Sequence, residues 1–123
     1  MKLTNAEEQV MEIIWKCETA FLKDIMGQYP DPKPAATTIV TLLKRMQEKD
    51  AVAYRLFGNS RQYYPLIPKE EYFTSRMNDI VKNFFGDSAL KFASFFTTAS
   101  NLSEKELEEL KKIVEQELNR RKK

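Results

Sequence analysis

The chain has 123 residues, 42% hydrophobic and 31% charged, with a formal net charge of +2. That composition fits one folded domain, or one small domain with an appendage, and does not fit a disordered polymer. Histidine is absent and Cys17 is the single cysteine, so neither an enzyme nor a metal or cofactor site is expected, and no internal disulfide can form.

Thr4-Asn5-Ala6-Glu7 has the Ser/Thr-x-x-Glu form of a capping box. It predicts a first helix over about residues 4–16. Leu3, Ala6, Val10, Ile13, Ile14 and Cys17 follow helical spacing and are expected in the core, with Trp15 in it or over it. Cys17 reads as a small buried hydrophobe rather than a reactive thiol. Ala20 to Gly27 reads as a short second helix, with Thr19 as its best cap and Gly27 near its end. Pro30-Asp31-Pro32-Lys33-Pro34 then blocks helix and forms a turn region.

The third helix, over about residues 36–49, carries the most information. Ile39, Leu42, Leu43 and Met46 fall on one stripe at about 100° per residue. Thr37, Thr41, Lys44 and Glu48 fall opposite, with Thr38 and Arg45 beside them and Val40 on the other flank. Threonine is a mediocre helix former, so three of them on one face are a poor choice for structure alone. They suit a DNA major groove, where a hydroxyl bonds a base or phosphate and a methyl touches a thymine methyl. A hairpin follows, with strands over about 52–57 and 61–66 and a Gly58-Asn59-Ser60 turn. Two short helices, a Pro-rich connection, a third helix and a basic hairpin make the winged helix-turn-helix layout. Base contacts are assigned to Thr37, Thr38, Val40, Thr41 and Arg45, and phosphate contacts to Lys44, Arg55 and Arg61.

Charge is uneven along the chain. Residues 1–31 carry three lysines against six acidic residues, whereas residues 33–63 carry six Lys/Arg against two. The basic block therefore coincides with the third helix and the hairpin. Phosphate binding needs that local charge, not a high overall value.

Past Pro68 the character changes. A helix over 69–85 carries Tyr72 or Phe73, Met77, Ile80, Val81 and Phe84, and Gly86 ends it. Asp87 or Ser88 caps a second helix to about Thr98. A capping box from Ser103 to Glu106 opens a last helix to about Arg121. Five of the eight phenylalanines lie between 84 and 96. A winged helix of about 65 residues is too small to hide so much apolar surface, so self-association as a twofold dimer is expected. The residues assigned to it are Ile80, Phe84, Phe92, Phe96, Leu107, Leu110, Val114 and Leu118. A seam of this length also fits an intramolecular helical bundle.

The fold class is thus mainly α with a small β-wing. Residues 1–68 form a winged-helix DNA-binding domain and residues 69–123 a helical dimerisation domain. No apolar run approaches the ~20 residues needed to span a bilayer, and no secretory signal opens the chain, so a cytoplasmic protein without stable membrane association is expected.

The order of motifs resembles the BlaI/MecI-type penicillinase repressors of bacteria. The resemblance rests on Leu3-Thr4-x-Ala6-Glu7-x-x-Val10-Met11-x-x-x-Trp15 and on Thr37-Thr38-Ile39-x-Thr41-Leu42-Leu43-x-Arg45-Met46-x-x-Lys49. It continues through Tyr64-Pro65-Leu66, Glu70-Glu71-Tyr72, Phe85-Gly86-Asp87-Ser88 and Leu102-Ser103-x-x-Glu106-Leu107-x-x-Leu110. It implies a homodimer on an inverted-repeat operator of double-stranded DNA, repressing antibiotic-resistance or related genes. It also implies release by cleavage in the C-terminal helices, triggered by a membrane sensor metalloprotease. Four departures stand out. Lys33-Pro34-Ala35-Ala36 lacks the family's aromatic residue. Gly58 is followed by Asn59 where the family has Arg. Lys49 is followed by Asp50 where it has Gly. Phe95-Phe96 occupies the place of the family's Asn-Phe cleavage bond, and the only Asn-Phe pair, Asn83-Phe84, falls earlier. A copper-sensing branch uses paired C-terminal cysteines, which Cys17 alone does not supply. Two other readings fit the same residues: a winged-helix protein-interaction module, and a repressor released by a small ligand in the Phe-rich region.

Overall fold

The computed structural model describes residues 1–122. The elements run α1 (Asn5–Cys17), β1 (Ala20–Phe21), α2 (Leu22–Gly27), α3 (Ala36–Glu48), β2 (Val52–Phe57), β3 (Ser60–Pro65), α4 (Lys69–Phe84), α5 (Ala89–Ala99) and α6 (Glu104–Lys122). The mainly helical class with a small β-wing is as expected. Two compact units form, one from Met1 to Arg76 and one from Met77 onward.

In the first unit, α1 starts at the capping box read from the sequence. The Glu7 amide donates to Thr4 Oγ1 at 3.2 Å and the Thr4 amide donates to Glu7 Oε1 at 2.8 Å. Val10, Met11 and Ile14 are buried against Ile25 of α2 and Ile39, Leu42, Leu43 and Met46 of α3. One expectation for α1 needs correction. Ala6 is exposed, and Glu7 and Met11 take the buried positions. Position 7 rather than position 6 faces inward because Glu7 reaches a cation, a pairing that hydrophobic periodicity does not register.

The second helix is also shorter than expected. Ala20 and Phe21 are a strand that pairs antiparallel with β3, Ala20 opposite Tyr63 and Phe21 opposite Gln62. Thr19 does not cap α2, which begins at Leu22 with the Phe21 amide donating to Asp24 Oδ2 at 2.9 Å. A two-residue strand has no periodicity of its own, and its pairing comes from β3, some forty residues away. The sheet order is β1-β3-β2. Gly58 sits at φ +61°, in the tight two-residue turn from Phe57 to Ser60, where a side chain would be strained.

The first half of α4, through Arg76, belongs with this unit. Tyr72 is fully buried, accepts from the Leu3 amide at 3.2 Å and donates to Glu8 Oε2 at 2.6 Å. Trp15 Nε1 donates to the Ile67 carbonyl at 2.9 Å. The sequence reading ends its first domain at residue 68, whereas the compact units divide after Arg76.

In the second unit, Ser88 caps α5 and the Ser103–Glu106 box caps α6. Phe85 packs against Phe92 and Phe95 with ring centroids 5.5 and 5.4 Å apart. Val81 is the one buried residue of this unit among the described residues. Phe84 (78% exposed), Val114 (59%) and Leu118 (52%) stand open in the single chain, as do Ile80, Phe95, Phe96 and Leu107. Phe92 and Leu110 are half-buried.

Candidate nucleic-acid interface

The sequence of α3 sorts itself into two faces. Ile39, Leu42, Leu43 and Met46 are buried, and burying each such side chain is worth about 1.5–3 kcal/mol. That packing turns Thr37, Thr38, Val40, Thr41, Lys44 and Arg45 outward, and all six are exposed. Among the described residues no carboxylate pairs with Lys44, Arg45, Arg55 or Arg61, so their charges face solvent uncompensated. The N-cap Ala35 has no side chain able to bond the first turn, which leaves the positive end of the helix dipole open beside Thr37.

Thr41 is more constrained than its neighbours. Its hydroxyl donates to the Thr37 carbonyl one turn back, at 3.0 Å. With its proton committed to the helix, Thr41 leaves lone pairs and a methyl group on the exposed face. An oxygen in that state accepts from the amino group of adenine or cytosine, and the methyl packs on thymine.

The hairpin arginines do not form one grip. The register sets Arg55 opposite Gln62 and Arg61 opposite Leu56. Successive residues alternate between faces, so Arg61 shares the face of Tyr54 and buried Tyr63, and Arg55 takes the other face with Tyr64. Each guanidinium lies over a tyrosine ring, Arg61 at 4.3 Å from the Tyr54 centroid and Arg55 at 5.0 Å from the Tyr64 centroid. A hydrogen bond to the Tyr63 side chain is the main factor raising the Arg61 pKa further, so it stays charged. Arg61 also lines an open groove of about 760 Å³ beside α3, together with Val40, Lys23, Asn59 and Phe57. Arg61 therefore lies on the groove side with α3, and Arg55 lies on the opposite face of the wing. Phe57 holds the wing tip through an edge contact with Phe21 at 6.0 Å.

Lys49 is counted in the basic block of the sequence, but its ammonium is turned inward. It lies 2.5 Å from Glu7 Oε1 and donates to the Lys2 carbonyl at 3.1 Å. Burial pushes the Glu7 carboxyl upward, but the Lys49 hydrogen bond and the Thr4 contacts outweigh it, and the net shift is downward. Sequence reasoning missed this pair, and the capping box was the one signal that drew attention to Glu7. It also missed Lys23, which sits on an exposed turn of α2 and enters the groove only through tertiary structure.

Among the described residues no acidic and cysteine cluster is able to hold a metal ion, and no helix is long and apolar enough to cross a membrane.

Comparison with known proteins matches residues 3–116 to the penicillinase repressor family. The chain is 25% identical over 122 residues to the penicillinase repressor of Bacillus licheniformis, covering 98% of this chain and 95% of that one. It is 30% identical over 118 residues to the methicillin resistance regulatory protein MecI of Staphylococcus aureus (strain N315), covering 92% and 93%. A protein of the same name from Mammaliicoccus sciuri is 29% identical over 118 residues.

Proposed function

The chain belongs to the penicillinase repressor family, whose members are transcriptional repressors and not enzymes, and on that premise we propose that it represses by binding an inverted-repeat DNA operator as a homodimer. The observation that carries this reading is the outward face of α3, where Thr37, Thr38 and Thr41 are exposed beside Arg45, whose charge no carboxylate among the described residues pairs with. In this reading α3 enters the major groove. Thr37, Thr38, Thr41 and Arg45 read base edges, with Val40 against a thymine methyl. Lys44 and Arg61 hold phosphates beside it, and Arg55 reaches backbone from the opposite face of the wing.

The second domain supplies the dimer. Ile80, Phe84, Phe96, Leu107, Val114 and Leu118 are exposed in one chain, and Phe92 and Leu110 are half-buried. A second copy covers such surface by twofold pairing, which also matches a twofold operator. The domain organisation proposed is a DNA-binding winged helix ending near residue 68, with a dimerisation region after it. The genes controlled are resistance genes, by analogy with the penicillinase and methicillin-resistance regulators it is similar to, and the site of action is the cytoplasm. Release follows a cut at Phe95–Phe96 by a membrane sensor metalloprotease. Such a cut would part α6, with Leu107, Leu110, Val114 and Leu118, from the rest of the seam. Because both residues lie inside α5, cutting there requires α5 to open locally.

Retention on its own promoter in preference to random DNA tests the reading. Purified protein that binds the two equally, at every salt concentration, would contradict it.

A further inference from the structure

The Glu7–Lys49 pair joins the start of α1 to the end of α3. Glu7 is the N3 residue of α1, and its side chain is 1% exposed. Lys49 is the C-cap of α3, and its side chain is 34% exposed. One carboxylate oxygen, Oε1, accepts from both the Thr4 amide and the Lys49 ammonium. The same ammonium donates to the Lys2 carbonyl. The other oxygen, Oε2, is buried with no hydrogen-bond partner among the described residues.

The buried side chains on the inner face of α3 are all apolar among the described residues, namely Ile39, Leu42, Leu43 and Met46. Apolar packing is strong but non-directional, so a small tilt or rotation costs it little. A charge-assisted bond is short and directional. We infer that the Glu7–Lys49 pair is a positioning device for DNA readout, fixing the pose of α3 without touching DNA. This rests on the DNA-binding reading above. Thr37 lies twelve residues from Lys49 on the same helix, roughly 18 Å at 1.5 Å per residue. Over that length a tilt of about 3° moves Thr37 by about 1 Å, twice the ~0.5 Å tolerance of a productive contact. The short side chains of Thr37, Thr38 and Thr41 cannot follow such a shift. Lys44 and Arg61 have long flexible stems and can still find a phosphate. Loss of the pair therefore lowers discrimination between sequences and spares general DNA affinity.

The experiment measures full-length protein binding to its own promoter fragment and to random DNA of equal length, by fluorescence anisotropy over a salt series. Circular dichroism at the assay temperature checks that each variant is folded. Lys49→Met strands the buried carboxylate and can fail to fold, so the double variant Glu7→Gln, Lys49→Met, which leaves no buried charge, accompanies it. In the double variant the promoter-to-random affinity ratio is expected to fall at least about tenfold, while random-DNA affinity and the salt slope stay near wild type. Lys49→Arg, with two donors able to meet both Glu7 oxygens, is expected to keep the ratio. A folded double variant with the wild-type ratio overturns the inference, and so does an equal loss on both DNAs. A wild-type protein with no preference for the promoter defeats the DNA reading itself, before any variant is compared.

Discussion

The hydroxyl of Thr41 donates to the carbonyl of Thr37 at 3.0 Å, within the exposed face of α3. The bond fixes the Thr41 rotamer and leaves its oxygen free to act as an acceptor towards a base amino group. Thr41→Ala removes the acceptor and the methyl together. It is expected to weaken operator binding by about 1–3 kcal/mol, with relaxed preference at one base position and unchanged affinity for random DNA. Equal weakening on both DNAs would remove Thr41 from the readout set.

Arg55 and Arg61 occupy opposite faces of the wing, and Arg61 alone of the two lines the groove beside α3. Arg61→Ala is expected to weaken binding to all sequences and to lower the salt slope by about 1. Arg55→Ala should cost less, since its contacts do not reinforce those of α3. Titrations at several salt concentrations separate the two, and a larger loss from Arg55→Ala would reverse the assignment.

The Glu7 carboxyl lies below its ordinary value of 4.5 in the fold. Its contribution to stability is therefore complete above the unfolded value and is lost as pH falls through the lower, folded one. Acid unfolding followed by circular dichroism should show this loss below about pH 4.5, and Glu7→Gln should flatten it. Lys49→Met at neutral pH is expected to cost about 3 kcal/mol, the low end for a broken buried pair, because Lys49 keeps some contact with water.

Val114 and Leu118 are 59% and 52% exposed in the single chain. Val114→Asp with Leu118→Asp should therefore leave each chain folded while breaking self-association. Sedimentation equilibrium is expected to show the mass falling from dimer to monomer, with operator affinity dropping on the order of a hundredfold as avidity is lost. An unchanged mass would place the dimer seam elsewhere.

Tyr72 anchors the start of α4 through the Leu3 amide and Glu8. A fragment of residues 1–76 should accordingly unfold at higher denaturant than one of residues 1–68, which lacks those bonds. Tyr72→Phe in the full chain is expected to lose about 1.5–3 kcal/mol, the usual worth of a hydrogen bond to a charged group. Midpoints that do not differ would mean that Tyr72 fills space and nothing more.

Where local chemistry decides the structure, the chain could be read directly. The Thr4 and Ser103 capping boxes, the Gly58 turn and the apolar stripe of α3 are all local, and each lies where the residues place it. Positions set by a distant partner were not legible. β1 exists because β3 lies beside it, and Glu7 is buried because Lys49, forty-two residues on, reaches it. The wing illustrates both cases. Its strands could be found by composition, but the opposite facing of Arg55 and Arg61 depends on where the turn ends, and the strand resumes at Ser60 rather than Arg61. A one-residue change there swaps the face of a side chain relative to its neighbours.

The most direct measurement is binding of the purified protein to its own promoter and to random DNA of equal length across a salt series, with a Thr41→Ala, Arg45→Ala double variant alongside. The expected result is a strong, salt-dependent preference for the promoter that the double variant loses while keeping its weak affinity for random DNA. A wild-type protein that binds both DNAs alike, or a double variant that keeps the full preference, would contradict sequence-specific repression through α3.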